Sequence, residues 1–310
     1  MKLRLVFMGT PDFAVPSLAA LYKAGHKIAG VVTQPDRRKG RGKRVVPPPV
    51  KVAAAARGLS VFQPMNVNDG EFARRLTDLS PDVIVTVAFG QLLKSPILEL
   101  PPLGCLNVHA SLLPKYRGAA PIAWAILNGE ASTGVTIMQM DEGMDTGPIL
   151  AAREEVIRPE DTTETLSRRL SEIGAALIVE ILEEWHAGRL TPIPQDSSRA
   201  TYAPPLKKAD GRIDWGQSAA RIERLIRAMN PWPGAFTTVE GKMLKIYSAK
   251  ITKPPETLAP GQGLVMDDAW IVATGEGALS LLEVQLEGRK RQDIHTFLKG
   301  FKTRGRLSLV

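Results

Sequence analysis

The first thirty-two residues alternate between strand-like and helix-like patterns, and this alternation restricts the fold more than any other feature of the sequence. Residues 3–8 are apolar except for Arg4 and typical of a buried strand, and residues 28–32 are a second such run. Between them, residues 14–24 place apolar side chains at helical spacing, and Gly25 ends the pattern. A strand, a helix and a strand within about thirty residues indicate a βαβ unit with parallel strands and a right-handed crossover. The sequence therefore predicts a Rossmann-like α/β fold.

The same alternation continues to about residue 187. Further helices are predicted over 50–57, 69–79, 121–128 and 163–187, and further strands over 61–62, 82–88, 105–109, 133–140 and 149–154. Gly9 follows the first strand, but Pro11 and Ala14 stand where a dinucleotide fingerprint would have its later glycines. We therefore expect a mostly parallel sheet, and the turn after its first strand does not establish a nucleotide site.

The pattern changes beyond residue 207. A helix is predicted over 219–229, and five short strands separated by Gly and Pro follow it, which is typical of a small β-barrel of the OB type. Residues 190–207 are rich in Pro, Ser and Thr and show little periodicity. We predict a Rossmann-like domain over 1–189, a linker over 190–207 and an OB-like barrel over 208–310.

Composition limits the compartment. Cys105 is the only cysteine, so the sequence provides no intrachain disulfide and no cysteine-based zinc site. No apolar run approaches the roughly 20 residues that span a bilayer, and the N-terminus leads directly into a strand without a cleavable leader. We expect a cytoplasmic protein that makes no membrane contact.

Positive charge is concentrated in one short segment. The chain has a net charge of +8, and residues 35–51 carry seven Lys and Arg against one acid, Asp36. The glycines and prolines of residues 34–49 predict an irregular loop, and the charge excludes its burial. Like charges repel unless an anion neutralises them, so this loop predicts a polyanionic partner; a solvated surface loop is the alternative.

Two polar side chains interrupt the apolar strand 105–109. Asn107 and His109 are two residues apart, so in a strand they point to the same face. An amide donor beside an imidazole suits the polarisation of a carbonyl and the transfer of a proton. Asp145 lies 36 residues beyond His109, in an acidic loop flanked by glycines. We expect all three at the carboxyl edge of the sheet, where α/β proteins bind ligands. A buried His and a turn Asn are the alternative.

These residues resemble the folate-dependent formyltransferases over the whole chain, and within that family the enzymes that act on methionyl-tRNA. The motifs that carry the resemblance are MGTPDF at 8–13, QPD at 34–36, GRGK at 40–43, NVHASLLP at 107–114, RGAAP at 117–121, GVT at 134–136, MDEGMDTG at 140–147, RIDW at 212–215 and RAMNPWP at 227–233. The family commonly has Gly where this sequence has Ala110. The resemblance implies transfer of a formyl group from 10-formyltetrahydrofolate to the α-amine of initiator methionyl-tRNA, which gives N-formylmethionyl-tRNA for translation initiation.

The resemblance also implies roles for individual residues. Asn107, His109 and Asp145 match the catalytic residues. The tetrahydrofolate-binding residues are predicted to be Ala88, Phe89, Gly90, Gln91, Leu92, Ser111, Leu112, Leu113 and Pro114. The tRNA-binding residues are predicted to be Arg37, Arg38, Arg41, Lys43 and Arg44. The C-terminal barrel would help to hold the tRNA, and we expect a monomer that needs no metal.

Several alternatives stay open at this stage. Either His109 or Asp145 can accept the proton. The same three side chains would also serve formyl transfer to a glycinamide nucleotide or a nucleotide sugar, or hydrolysis of formyl-folate. A non-catalytic RNA-binding protein would explain the charge but would leave the three side chains without a purpose. Packing is the favoured role for the tryptophans, with Trp215 and Trp232 the candidates for base stacking.

Overall fold

The structure is a computed structural model that describes residues 2–39, 44–254 and 256–310. The chain folds into two compact units. The first contains the chain up to Pro121, Ser132–Val156 and Ser167–Pro204, and the second contains Ile122–Ala131, Ile157–Leu166 and Pro205–Val310. Within the described ranges, no helix is long and apolar enough to cross a membrane.

Strands and helices alternate over most of the chain up to about residue 187, as the sequence predicts, and a short strand follows before residue 204. The strands are β1 (Arg4–Gly9), β2 (Lys27–Val32), β3 (Arg37–Lys39), β4 (Arg44–Val46), β5 (Val61–Phe62), β6 (Val83–Val87), β7 (Cys105–His109), β8 (Arg117–Gly118), β9 (Ser132–Gln139), β10 (Ile149–Val156) and β11 (Tyr202–Ala203). The helices are α1 (Val15–Lys23), α2 (Pro49–Ala55), α3 (Gly70–Leu79), α4 (Ser95–Leu98), α5 (Pro121–Asn128) and α6 (Thr163–His186).

One seven-stranded sheet organises the first unit, in the order β10-β9-β7-β6-β1-β2-β5. The five strands from β7 to β5 are parallel, and β9 and β10 are each antiparallel to the preceding neighbour. The predicted mostly parallel, Rossmann-like sheet is therefore confirmed. Its central strands are buried because they are almost entirely apolar: every residue of β6 is buried, as are five of the six residues of β1.

Helix α3 shows how the sequence specifies such an element. Asp69 accepts a hydrogen bond from the N–H of Glu71 and caps the first turn, and Ser80 ends the helix in the left-handed region at φ 45°. Phe72 and Leu76, four residues apart, lie on one face and pack into the same core cluster as Ile84 of β6. Full burial of each such side chain stabilises the fold by about 1.5–3 kcal/mol.

The prediction that residues 34–49 lack regular structure is wrong for two segments. β3 and β4 pair in antiparallel fashion, with Arg37 opposite Val46 and Arg38 opposite Val45. In the sequence the glycines fall between the two strands, and the prolines fall before the first strand (Pro35) or after the second (47–49), so neither interrupts a pairing residue. The β-branched Val45 and Val46 favour the extended backbone that the ribbon requires.

The segment predicted as a linker is hydrogen-bonded to the first unit for most of its length. Ile193 forms an antiparallel bridge with Ile149, and β11 pairs in parallel with β8, with Tyr202 opposite Arg117 and Ala203 opposite Gly118. Residues up to Pro204 belong to the first compact unit. The division of the chain at residues 189 and 208 remains a prediction.

The second unit contains an antiparallel sheet that curls on itself. The strands are β12 (Ala235–Val239), β13 (Lys242–Thr252), β14 (Gln262–Val265), β15 (Trp270–Ala273), β16 (Ala278–Leu286), β17 (Gln292–Asp293) and β18 (Gly305–Ser308), and the helices are α7 (Ala219–Ala228) and α8 (Ile294–Lys299). The order is β12-β13-β16-β15-β14-β18, with β17 on β16. An antiparallel bridge between Val239 and Leu309 joins the two ends of this path. The predicted small C-terminal barrel is confirmed.

Candidate active site

Strand pairing sets the positions of the two polar residues of β7. Asn107 pairs with Thr86 of β6 on one side and Met138 of β9 on the other, and His109 pairs with Thr136. Both polar side chains approach Asp145. The Nδ1 atom of His109 lies 3.6 Å from Asp145 Oδ2, and the Nδ2 atom of Asn107 lies 3.5 Å from Asp145 Oδ1. The three residues that the sequence singled out thus lie together in the structure.

The imidazole of His109 has a defined proton arrangement. Its Nε2 atom lies 3.0 Å from the backbone carbonyl oxygen of Tyr116, and a carbonyl oxygen can only accept, so Nε2 carries a proton. The neutral ring therefore presents an unprotonated Nδ1 to the carboxylate of Asp145. The ring is buried, whereas 17% of the Asp145 side chain is exposed. A proton that arrives at Nδ1 would be stabilised at once by the neighbouring negative charge.

The amide of Asn107 is oriented from β6. The hydroxyl of Thr86 lies 3.0 Å from Asn107 Oδ1 and donates to it, which leaves the NH₂ group directed towards Asp145. The Nδ2–Asp145 distance of 3.5 Å is at the outer limit of a hydrogen bond. The amide is therefore a preoriented donor that is weakly engaged and available to an incoming oxygen.

Asp145 reaches the site on a loop that crosses back over the end of the sheet. Strand β9 is antiparallel to β7, and its last residue, Gln139, pairs with Leu106. The chain therefore leaves the sheet below the carboxyl edge of β7, and the loop has to bring Asp145 back to Asn107 and His109. The loop returns across the sheet because Gly147 packs against the backbone of Gln139, where an added Cβ would meet the carbonyl oxygen at 1.9 Å. Asp145 itself adopts a left-handed backbone conformation at φ 55°.

Sequence reasoning missed the groups that hold these side chains, because most of them are backbone atoms. The N–H of Gly118 donates to Asp145 Oδ2 at 2.7 Å, and the carbonyl of Tyr116 accepts from His109. The side chain of Gln195 donates to the backbone carbonyls of Asp145 and Gly147 at 2.9 and 2.7 Å. Gln195 lies in a segment without periodicity, so its sequence context gave no signal.

The two segments predicted to bind tetrahydrofolate flank this site. Because Thr86 pairs with Asn107, the chain after β6 leaves the sheet beside His109. In that segment, Ala88, Gly90 and Leu92 are exposed, whereas Phe89 is buried in the core. The side chain of Gln91 is bonded to the backbone of Val67 and Met65.

The turn after β7 is held by its own polar groups. Ser111 is fully buried, and its hydroxyl donates to the carbonyl of Lys115 at 2.6 Å. The hydroxyl of Thr136 donates to the carbonyl of Ser111 and accepts from the N–H of Leu113. Leu113 is buried, whereas Leu112 and Pro114 are partly exposed. A ligand at this turn would therefore meet backbone and apolar side-chain atoms rather than the serine hydroxyl.

Of the residues predicted to bind tRNA, Arg37, Arg38 and Arg44 are exposed on the two-stranded ribbon. Arg41 and Lys43 lie outside the described residues. The base of the ribbon is fixed by Asp36, which accepts hydrogen bonds from Lys51 and Gln63 at 2.8 and 2.7 Å. The hydrogen bond from Lys51 is the main reason that the pKa of Asp36 lies below its usual value.

Other candidate groups have structural roles. Burial raises the pKa of the Cys105 thiol to about 12, which removes the thiolate that a nucleophile would need. Asp141 accepts from Thr146 and from the N–H of Gly143 and so caps the start of the Asp145 loop. Among the residues with described coordinates, no group of three His, Cys, Asp or Glu side chains is arranged to hold a metal ion.

The tryptophans separate by exposure. Trp215 is buried and donates to the hydroxyl of Thr237, and Trp270 is buried and stacked on Phe297. The indole of Trp232 is 53% exposed, so of the two candidates for base stacking it is the accessible one.

A preoriented amide donor next to an imidazole–carboxylate pair, on the ligand-binding side of an α/β sheet, defines a site for acyl transfer. The family models agree: the model described as "Formyl transferase" matches residues 1–182, and "Formyl transferase, C-terminal domain" matches residues 205–302. The chain belongs to the formyl transferase family.

Relatives in this family match nearly the whole chain. A methionyl-tRNA formyltransferase from Geobacter metallireducens is 49% identical over 302 residues, with 96% of each chain covered. One from Lachnospira eligens is 50% identical over 304 residues, also with 96% of each covered.

Solved structures show the same fold at low identity. HypX from Aquifex aeolicus in complex with tetrahydrofolic acid is 20% identical, with a TM-score of 0.67 over 99% of this chain; this chain spans about half (51%) of HypX. An N-formyltransferase from Helicobacter canadensis, in complex with folinic acid and dTDP-3-aminofucose, is 19% identical with a TM-score of 0.67, covering 94% of this chain and all of its own.

Proposed function

We propose that this protein transfers the formyl group of 10-formyltetrahydrofolate to the α-amino group of methionyl-tRNA. The observation that carries the proposal is the likeness of about half of all residues, over 96% of the chain, to methionyl-tRNA formyltransferases. This likeness extends through both family regions, so it includes the barrel as well as the site. The convergence of Asn107, His109 and Asp145 supplies the chemistry.

In the first step, the amine of the aminoacyl group attacks the formyl carbon, and the carbonyl oxygen becomes an oxyanion. The NH₂ group of Asn107 would donate to this oxygen, because Thr86 already directs it into the site. A preoriented donor of this kind stabilises the transition state by about 2.7–4 kcal/mol. The amine is itself the nucleophile, so the reaction needs no covalent enzyme intermediate.

In the second step, the C–N10 bond breaks, the attacking nitrogen loses a proton and N10 of the folate gains one. His109 Nδ1 and Asp145 together would hold this proton, since Nε2 is already protonated against the carbonyl of Tyr116. The carboxylate of Asp145, 3.6 Å from Nδ1, would stabilise the positive charge that the imidazole gains with this proton. This arrangement favours a proton-holding role for His109 over direct donation to the oxyanion.

Substrate binding would use the flanking segments. The exposed Ala88, Gly90 and Leu92, with the backbone of 111–114, would contact the folate beside His109. The exposed Arg37, Arg38 and Arg44, with Arg41 and Lys43 in the same segment, would contact tRNA phosphates.

The proposal has further parts. The physiological acceptor is initiator tRNA, and the enzyme is a cytoplasmic monomer that uses no metal. The chain divides near residues 189 and 208 into a catalytic domain and a tRNA-binding barrel.

A parallel assay with three acceptors tests the proposal. Purified protein with 10-formyltetrahydrofolate is given methionyl-tRNA, glycinamide ribonucleotide or water, and the formylated product and the released tetrahydrofolate are measured. We expect rapid formylation of methionyl-tRNA only. Preference for the small acceptor, or release of formate without an acceptor, would contradict the proposal.

The tRNA part has its own test. The affinity for methionyl-tRNA should fall steeply as salt rises, because Lys and Arg displace counterions from phosphates. Arg41→Ala should weaken the use of methionyl-tRNA and leave the KM for the folate unchanged. Arg57→Ala, which removes a cation bonded to a carbonyl on α2, is the matched control. Equal effects of the two substitutions would reduce the basic segment 35–51 to a solvated surface.

A further inference from the structure

We infer that Gln195, held by Arg117, is a positioning residue that fixes Asp145 for the transfer reaction. This inference rests on the proposed function and extends it to the segment between the two predicted domains. Gln195 is eighty-six residues beyond His109 and touches neither Asn107 nor His109 in any described hydrogen bond. It acts on Asp145 through the main chain.

The contacts of Gln195 are directed at one short stretch of backbone. Its amide nitrogen donates to the carbonyl of Asp145 at 2.9 Å and to the carbonyl of Gly147 at 2.7 Å. Both hydrogens of the NH₂ group are therefore used on carbonyls two residues apart. This clamp fixes the Asp145–Thr146 and Gly147–Pro148 peptide planes.

The other end of the amide is held as firmly. The carbonyl oxygen of Gln195 accepts from Nε and Nη2 of Arg117, at 3.1 and 2.8 Å. Arg117 is buried with 2% exposed, and its own backbone is fixed because its N–H donates to the carbonyl of Thr201. A fork of two N–H groups on one oxygen leaves the amide no freedom to rotate.

These contacts close a ring around Asp145. Arg117 is followed by Gly118, whose N–H donates to the Asp145 carboxylate at 2.7 Å, and is preceded by Tyr116, whose carbonyl accepts from His109. Gln195 thus holds the main chain of Asp145, while Gly118 holds its side chain, and both are tied to Arg117. The tripeptide 116–118 sets the imidazole and the carboxylate relative to each other.

The backbone of Asp145 is in the left-handed region, at φ 55°, which is a minority conformation even for Asp, although Asp tolerates it better than most non-glycine residues, so the clamp helps to hold it. The first half of the loop has a separate anchor, where Glu142 accepts from Ser95, and Asp141 accepts from Thr146 and so links the two halves. Without Gln195, the second half could relax towards a commoner backbone conformation and move the carboxylate away from His109.

The test compares two variants of Gln195 in the full-length enzyme. Gln195→Ala removes the whole amide. Gln195→Glu removes both N–H donors to the loop but keeps an oxygen that can accept from Arg117. It therefore tests the loss of the hydrogen bonds to the loop without leaving the buried arginine unpaired. Displacement of a reacting group by about 1 Å can cost on the order of 100-fold in rate. We expect both variants to lose between tenfold and 100-fold in kcat, with each KM within about twofold of the wild-type value.

A double-mutant cycle distinguishes positioning from a general loss of structure. If Gln195 acts through Asp145, adding Gln195→Ala to Asp145→Ala should cause no further loss of kcat. A full, multiplicative loss in the double variant would overturn the inference, as would wild-type kcat in Gln195→Glu. Ser197→Ala, at an exposed position of the same segment, is the control and should leave kcat unchanged.

Amide hydrogen exchange over residues 143–147 provides a readout without turnover. Both Gln195 variants should exchange faster than the wild type in this loop while the sheet strands stay protected; unchanged exchange in the loop would overturn the inference. If the wild-type protein does not formylate methionyl-tRNA, the proposed function fails, and the exchange result still decides whether Gln195 holds the loop.

Discussion

Removing the charge of Asp145 should slow the reaction by a factor that the geometry limits. Asp145→Asn keeps an amide oxygen that can accept from Gly118, so it removes the negative charge and, besides it, only the weak acceptor of Asn107. At the observed 3.6 Å between Nδ1 and Oδ2, a proton on His109 is attracted by about 4–5 kcal/mol at an effective dielectric constant of about 20. Each 1.36 kcal/mol corresponds to tenfold in rate, so the largest expected loss in kcat is roughly 10³-fold.

The assay measures single-turnover formylation of methionyl-tRNA at saturating 10-formyltetrahydrofolate, together with the Kd for each substrate. Both Kd values should stay within about threefold of the wild type, because the charge acts only when the proton moves. Asp141→Asn is the matched control, since it makes the same change four residues earlier, on a carboxylate that caps the loop. Wild-type turnover in Asp145→Asn, or an equal loss in both variants, would refute the role of Asp145 as the partner of His109.

Three further predictions follow from single features of the structure. Asn107→Leu should lower kcat by about 10²–10³-fold at unchanged folate affinity, because it removes the amide donor. Thr86→Val should cause a smaller loss in kcat, because it only frees the amide to rotate; a larger loss in Thr86→Val than in Asn107→Leu would contradict the role of Asn107 as an oriented donor. Cys105, with its pKa raised to about 12, should resist iodoacetamide at pH 8 in the native protein and react after unfolding; rapid native labelling would contradict its burial. Burial lowers the pKa of His26 in the folded protein, so the unfolded chain binds the proton first as the pH falls below 6.5. The free energy of unfolding, measured with urea, should therefore decline between pH 7 and 5, and it should decline less steeply in His26→Asn than in the wild type. Parallel declines in the two proteins would refute this.

Much of the fold was predictable because it depends on local patterns. Residues 28–32, 61–62 and 121–128 needed only their apolar spacing and bounding turns to be assigned, and the observed β2, β5 and α5 match these ranges to within one residue. Five of the seven barrel strands, β12 to β16, were found in the same way, whereas β17 and β18 were not predicted. The hairpin of β3 and β4 was missed because the glycines and prolines of residues 34–49 were considered together, whereas strand pairing depends on the position of each glycine and proline.

The candidate site was only partly predictable. Strand alternation predicts that Asn107 and His109 share a face, because successive residues of any strand alternate. No local pattern states that β9 is antiparallel to β7, so the path of the Asp145 loop back across the sheet could not be derived from the sequence. The left-handed backbone of Asp145 is likewise a property of the closed loop.

The sequence by itself determined the class of the fold, the identity of the three polar side chains and the concentration of positive charge, since each of these is carried by residue type and spacing. Only the tertiary structure decided how the side chains are held. The carbonyl of Tyr116, the N–H of Gly118 and the amide of Gln195 act through hydrogen bonds between segments distant in the chain. Each of these bonds has a backbone group on at least one side, and backbone groups are the same in every residue. Which backbone groups hold the site therefore depends on which segments the fold brings within about 3 Å of each other.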